Sequence, residues 1–580
     1  LTGKIFDLRG GPAAQKPFAP FDELPAVMPE LADTAGFPHP CLWYDREGLA
    51  DLRRKFNEPL FADYRKLILT RADRPMAENG KIGTPSHASI INTYLWAYVL
   101  SEKPAYRKKL MAAVDALLIG TDALPEKEHG SPGKKHLVIT IDEFMCHNGE
   151  AIATVYDSLF HELTPELRTR MFRYLKRHLF YYRERIREND WWYRNNPSNT
   201  IAVGSGCNGI VALALRPLVP AWKDAVDTAV KTIREKYVAM AADGGCIEGA
   251  LYWDYGFTNQ VMFGNALKNA LGDDRGMLTA GQLKNVPAFV ETQLGGDGRF
   301  FPFNDSQPWL TGMAICADFG SRLDNRLLRW LADKTAAEAA AETTPVFTRA
   351  HFYALAFRAR DRKPVTAFPG VPTLTYLEKL HWGVLRSEGD VFKPRLVMGI
   401  KGRDGKTTHH AQEDLGGYAL QARGESFLID PGYYQGKAAA HSVPLISGTG
   451  PEKKAVARIS DAWERGEIRT MTVDVTPAYK AAGARRVRRI FLMIGAKAAI
   501  VVDDLIAEQP VTAQYQCGFP ARVSEDGTAA TVTGVNTRLT IRPRGRNLAL
   551  KCEGPVDFGR SWVFAETGVK WYRVRGEYTA

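Results

Sequence analysis

His410-Ala-Gln-Glu-Asp-Leu-Gly-Gly-Tyr418, continued by Phe427-Leu-Ile-Asp-Pro-Gly-Tyr433 and then His441, is strand-like sequence that carries polar chemistry. A histidine, a carboxylate and a second histidine are spread over alternating residues, a layout that brings polar side chains onto one sheet. Far upstream, a second polar cluster lies in helical sequence: Asn195-Asn196-Pro-Ser-Asn199, then Asp243-Gly-Gly-Cys-Ile-Glu248-Gly-Ala-Leu-Tyr252-Trp-Asp-Tyr255-Gly256. Two unlike halves each hold part of a site. An enzyme working in the cleft between them is expected.

The period of the apolar residues divides the chain. Over 46–362 they recur at helical spacing, as in Leu110-Met-Ala-Ala-Val-Asp-Ala-Leu-Leu, Ala151-Ile-Ala-Thr-Val-Tyr-Asp-Ser-Leu-Phe and Ile210-Val-Ala-Leu-Ala-Leu. Thr164-Pro-Glu-Leu reads as a helix start, with Thr as cap and Pro at the first helical position. Many helices of similar length without a sequence repeat suggest a helical toroid or superhelical layer. The Pro-rich 363–373 reads as a linker. Over 374–580 the texture is short alternating or β-branched runs, such as Tyr418-Ala-Leu-Gln-Ala and Ile500-Val-Val-Asp-Asp, with turns at Asp404-Gly405 and Asp526-Gly527. Helices followed by strands indicate segregated domains, the second an antiparallel β-sandwich. Residues 1–45, with five prolines from Pro12 to Pro29, are expected to lie as an extended arm against the helical domain.

At 580 residues the chain exceeds one hydrophobic core. Its net charge of +11 favours a polyanion, but lysines and arginines are scattered and often paired with acids, as in Glu184-Arg-Ile-Arg-Glu188. Neither a zinc-finger spacing nor an RNA-recognition signature is present, which sets nucleic acid aside. No apolar run reaches the length of a membrane span. Seven cysteines without a Cys-x-x-Cys pair argue against a zinc ribbon or a disulfide framework. Position 1 is Leu rather than Met, so an export signal is expected to have preceded it, with a secreted or periplasmic location.

Several groups could carry chemistry. Asn196 and Asn199 follow the aromatic run that includes Trp192. Tyr252 and Tyr255, three apart, share a helical face near Glu248, and with Trp253 they form a polar aromatic segment suited to sugar. His147-Asn-Gly-Glu150 places a histidine and a carboxylate one turn apart. Phe303-Asn304-Asp305-Ser306 adds an acid to the same end of the domain. In the sheet half, His409 and His410 precede a strand, and Asp430 and His441 follow it. His plus Asp is a common divalent-metal set, with Gln412 able to offer an amide oxygen.

These segments together resemble the heparinase II/III-like polysaccharide lyases, the group joining heparin, alginate and related uronate lyases. The match rests on the Asn-bearing segment before Cys207-Asn-Gly-Ile, the Asp-Gly-x-x-x-Glu-Gly-x-x-Tyr-x-x-Tyr-Gly segment at 243–256, the His-to-Asp-Pro-Gly-Tyr strand pair at 410–433, and His441-Ser-Val-Pro-Leu-Ile-Ser-Gly. The resemblance implies an α+β chain, an N-terminal incomplete (α/α) toroid followed by a C-terminal antiparallel β-sandwich, with anionic polysaccharide bound between them. It implies that Asn199, with Asn196 in competition, neutralises the uronate carboxylate. Tyr255, with Tyr252 second, would be the acid and also serve as base, and His410 would be the sheet domain's contribution. His147 and Glu150 resemble a His-x-x-Glu pair of some members. Trp192, Asn196, Glu248, Trp253, His409 and Tyr433 complete the expected substrate surface. The sheet metal, zinc first with calcium or manganese as alternatives, would fall on Asp430 and His441; Gln412 stands where the family has a histidine. No organic cofactor is expected.

The chemistry explains the residue types. A uronate C5 proton is weakly acidic because the adjacent carboxylate resists further negative charge, so donors must neutralise that carboxylate before a base takes the proton. A tyrosine suits the acid that protonates the departing O4, and a histidine suits the base. The expected activity is cleavage by β-elimination. Rivals are a uronate C5 epimerase, a hydrolase using a pair among Glu150, Asp254, Glu248 and Asp305, and a non-catalytic polysaccharide-binding protein.

Overall fold

The computed structural model describes residues 38–74, 87–122, 143–187, 198–216, 218–219, 221–237, 243–296, 298–342, 351–361, 363–393, 395–406, 408, 410–433, 435–544, 548–556 and 571–578. Trp192, Asn196, His409 and most of the expected arm lie outside them.

The helical half contains α1 (Arg46–Phe56), α2 (Ala62–Asp73), α3 (His87–Ser101), α4 (Pro104–Asp122), α5 (Glu143–Ser158), α6 (Pro165–Arg187) and α7 (Asn199–Ala214). It continues with α8 (Trp222–Lys236), α9 (Thr258–Leu271), α10 (Val286–Gln293), α11 (Met313–Arg322), α12 (Arg326–Ala340) and α13 (His351–Arg358). Caps set the starts: Asp45 Oδ1 accepts from the Gly48 N–H at 2.7 Å, and Thr164 Oγ1 from that of Leu167 at 3.3 Å. α7 is apolar on every side, and every residue of it is buried. It lies among α5, α6, α8 and α9. The described end of the arm enters this core rather than lying on it. Cys41, Leu42, Trp43 and Tyr44 are buried, and Asp157 of α5 accepts the N–H groups of Cys41 and Leu42 at 3.0 and 2.9 Å.

The sheet half follows. Its strands are β1 (Leu374–Tyr376), β2 (Trp382–Arg386), β3 (Val397–Lys401), β4 (Arg403–Asp404), β5 (Tyr418–Ala422), β6 (Glu425–Leu428), β7 (Leu445–Ile446), β8 (Val456–Arg465) and β9 (Ile468–Asp474). Beyond them come β10 (Arg486–Ile494), β11 (Ala498–Ile506), β12 (Val511–Cys517), β13 (Ala521–Val523), β14 (Ala530–Thr533), β15 (Arg538–Ile541), β16 (Leu548–Glu553) and β17 (Tyr572–Tyr578). One sheet runs β1-β2-β3-β5-β6-β12-β17-β16 with β7 on β12; a second runs β11-β10-β9-β8-β4; a third joins β13, β14 and β15. The pairings among these strands are antiparallel.

The first two sheets face each other. Met398, Ile400, Leu420 and Phe427 of one share a core with Met471, Val473, Phe491 and Met493 of the other. β10 alternates, with Val487, Arg489, Phe491 and Met493 buried. β2 and β3 are buried throughout, because the far face of their sheet packs on the helices, where Trp382, Val384 and Val397 join the helical core. Polar bonds fix this docking: Asp243 Oδ2 accepts from the backbone of Lys379 and Leu380 at 2.8 and 3.1 Å, and Arg386 donates to Leu294 O at 2.7 Å. No helix among the described residues is long and apolar enough to cross a membrane.

Candidate active site

The helical contribution begins at the first turn of α7. Asn199 donates its backbone N–H and its side-chain Nδ2 to Glu248 Oε2, at 2.9 and 3.2 Å. A carboxylate at a helix N-terminus satisfies free N–H groups and meets the positive end of the dipole. Glu248 is fully buried; burial raises its carboxyl above the ordinary range, opposed by His410 and by the Asn199 bonds. The next turn, Ala250–Tyr252, runs into a π-helical turn, Trp253–Phe257, before α9. The wide turn packs against the start of α7. Gly256 makes this possible, since a Cβ there would lie 2.5 Å from Tyr237 Oη and 2.9 Å from Asn199 Cβ.

Across the cleft stands His410. Its ring stacks on Tyr252 with centroids 3.6 Å apart and planes 22° apart. Tyr252 Oη is hydrogen-bonded to Tyr433 Oη, and burial, then the neighbouring Tyr433, pushes its phenol well up. Tyr255 lies 6.3 Å from Tyr252 and meets His147 edge to face at 5.6 Å, between ring centroids. His410 Nδ1 is 2.9 Å from Asp305 Oδ2, and Gln412 Nε2 donates to the other carboxylate oxygen at 2.9 Å. An ionised Asp305 can only accept, so Nδ1 carries a hydrogen, and the tautomer this selects in a neutral ring has its lone pair on Nε2. One side chain from the helical half thereby orients the imidazole from the sheet half.

Asn199, Glu248, Tyr252, Tyr255, His147, His410 and Tyr433 therefore belong to one connected region. Three expectations change. Trp253 is fully buried, packed on Phe289 at 5.1 Å and Phe257 at 6.3 Å, so it supports the turn and faces no sugar. Glu150 is also fully buried and bonds Tyr353 Oη, Thr154 Oγ1 and Asn92 Nδ2 inside the helical core. Asp254 is held by Thr258 Oγ1 at 3.0 Å and by Thr311; a structural acceptor of this kind suits neither role in a hydrolase pair.

The donors expected to hold a metal do not fit one. His441 Nδ1 is 3.0 Å from Asp430 Oδ2 and its Nε2 is 2.7 Å from Gln435 O, so both nitrogens face acceptors; a ring that donates to both is an imidazolium, which has no lone pair for an ion. Gln412 Nε2 donates to Asp305 and to Gly432 O, while its Oε1 and Asp414 Oδ1 are buried without a hydrogen-bond partner among the described residues. The third member of the group with Asp430 and His441 is Asp414, already paired with Lys401. Asp414 and Lys401 were not singled out in the sequence; a lysine ending a strand carries no local mark of burial.

No protein-family model matches the chain, and no curated protein matches it in sequence. Solved structures do. A crystal structure of heparinase III superposes with a TM-score of 0.59 at 12% identity, covering 93% of this chain and 90% of that one. The chain has the heparinase III fold. A second heparinase III gives 0.57 at 14% identity over 93% of this chain and 82% of the other. A mutant of the heparan sulfate lyase HepC from Pedobacter heparinus gives 0.56 at 14% identity, over 91% and 85%.

Proposed function

We propose that this heparinase III-fold chain is a polysaccharide lyase that cleaves uronate-containing anionic polysaccharide by β-elimination. In this reading its helical half is an incomplete (α/α) toroid, its sheet half the β-sandwich, and its location secreted or periplasmic, where such polymers occur. The observation that carries the reading is the stacking of His410 on Tyr252 across the two halves, with Tyr255 at the edge of Tyr252 and the amide of Asn199 anchored on Glu248.

Asn199 has one amide N–H on Glu248 and offers the second to the substrate carboxylate. His410 Nε2 takes the C5 proton, the C4–O4 bond breaks as C4=C5 forms, and the departing O4 receives a proton from Tyr255. Tyr252, whose phenol burial keeps protonated, stacks under His410 and donates to the sugar or to Tyr433. Each proton transfer contributes about 10²–10⁴-fold.

The test is ultraviolet absorbance of the protein incubated with a panel of glycosaminoglycans, alginates and other polyuronates. A rise from the conjugated product is expected on at least one, and Tyr255→Phe and His410→Ala should each lose about 10²–10⁴-fold in turnover while remaining folded. Full activity in both variants sinks the assignment. Inversion at C5 without cleavage would instead identify an epimerase.

A further inference from the structure

Behind His410 lies a buried polar cluster that the proposed chemistry does not use. Lys401 Nζ, at the end of β3 and with no exposed side-chain surface, bonds Asp414 Oδ2 and Asn304 Oδ1. Arg403 Nη2 stands 3.6 Å from Asp414 Oδ1, and Asp414, Asp430 and His441 offer ligand-type atoms within 4.8 Å of one another. Two buried carboxylates need a compensating cation. Here the protein brings its own: Lys401 and Arg403 balance Asp414 and Asp430 before any charge on His441 is counted. A divalent ion added to that set would bury two uncompensated positive charges, a heavy desolvation penalty.

We propose that the Lys401 ammonium is the resident cation of this cluster and holds the cleft together in place of a structural divalent metal. The wiring gives it that reach. Asn304, which Lys401 bonds, donates from Nδ2 to Ile247 O at 2.6 Å, beside Glu248, and precedes Asp305, the partner of His410. Gln412 Nε2 ties Asp305 to Gly432 O at 2.9 Å, and the Gly432 N–H returns to Asp430 Oδ1 at 3.0 Å. One ammonium thus joins the Glu248 segment, the His410 loop and the loop bearing Tyr433. Lys401 touches no substrate; it is a positioning residue.

The experiment uses the full chain. Untreated and EDTA-treated protein are compared for metal content and Tm, and the treated protein is then titrated with Zn²⁺, Ca²⁺ and Mn²⁺ separately. Expected are less than about a tenth of an ion per chain and Tm changes below about 1 °C on chelation or on addition of any ion. About one ion per chain, with Tm falling on its removal and recovering on its return, overturns the inference. Metal that leaves without moving Tm counts with the expected result. Lys401→Met should lower Tm by about 5–15 °C, with Lys401→Arg recovering part of the loss; a Lys401→Met protein as stable as the parent also overturns it. Should Lys401→Met fail to fold, the chelation result on the parent decides. None of these readouts uses a substrate, so failure of the lyase reading would leave them unmoved.

Discussion

His410 acquires its chemistry from Asp305. A surface imidazole interconverts tautomers freely, whereas here Asp305 Oδ2 fixes the hydrogen on Nδ1 and Gln412 fixes Asp305. Asp305→Asn leaves a single acceptor oxygen to serve both neighbours. Loss of about 10–100-fold in kcat with KM and Tm nearly unchanged is expected; an unchanged kcat would show that the ring needs no such support. The tyrosines divide in the same way. Tyr252 is committed to the His410 stack and the Tyr433 hydroxyl, and Tyr255 stands at the edge of His147.

The close approach of α5 and α6 is set by a glycine and a neutral histidine. A Cβ on Gly149 would lie 2.5 Å from His178 Nε2, so the His178 ring packs directly on the backbone of α5. Full burial pulls the His178 pKa from the ordinary 6.5 to about 3, so the folded chain holds the ring neutral. A folded value below the unfolded one means that stability is fully present above pH 6.5 and is lost as pH falls toward 3, at about 1.4 kcal/mol per pH unit. His178→Gln should therefore show a smaller drop in Tm between about pH 7 and pH 5 than the parent. Equal drops, followed by circular dichroism, would show that His178 is not held neutral. The helix carries His147 and ends of the same packing reach Tyr255, so this contact also steadies the cleft.

The molecule as a whole works through the docking of its halves. The helical core continues into β2 and β3, and Arg386, Asp243 and Gln421 bond across the junction, so the cleft is a property of the joined structure. The chain as a whole carries a net charge of +11. A polyanionic substrate should be drawn in at low ionic strength, and KM should rise by roughly threefold or more between about 50 and 300 mM salt while kcat changes little. A KM indifferent to salt would mean that contacts at the cleft, not the field, hold the polymer.

Local pattern was enough to separate helices from strands. The helical spacing of 110–118 and 151–160, the Thr164-Pro165 start and the alternation in Tyr418-Ala-Leu-Gln-Ala are written within single turns or strands, and helices and strands stand at those segments. The residues of the site were legible for the same reason: Glu248, Tyr252, Tyr255 and His410 sit in short polar segments set against apolar surroundings. Their partners were not. Trp253 turns inward onto Phe289, and Glu150 turns to Tyr353, 203 residues away, because burial demands a partner wherever the fold supplies one. Lys401 meets Asn304 and Asp414 only when β3, the 303–306 turn and the 410–414 loop converge. Periodicity is a property of neighbours in sequence; the charge balance of a buried cluster depends on every residue that the fold brings within a few ångströms, and that is set by tertiary packing.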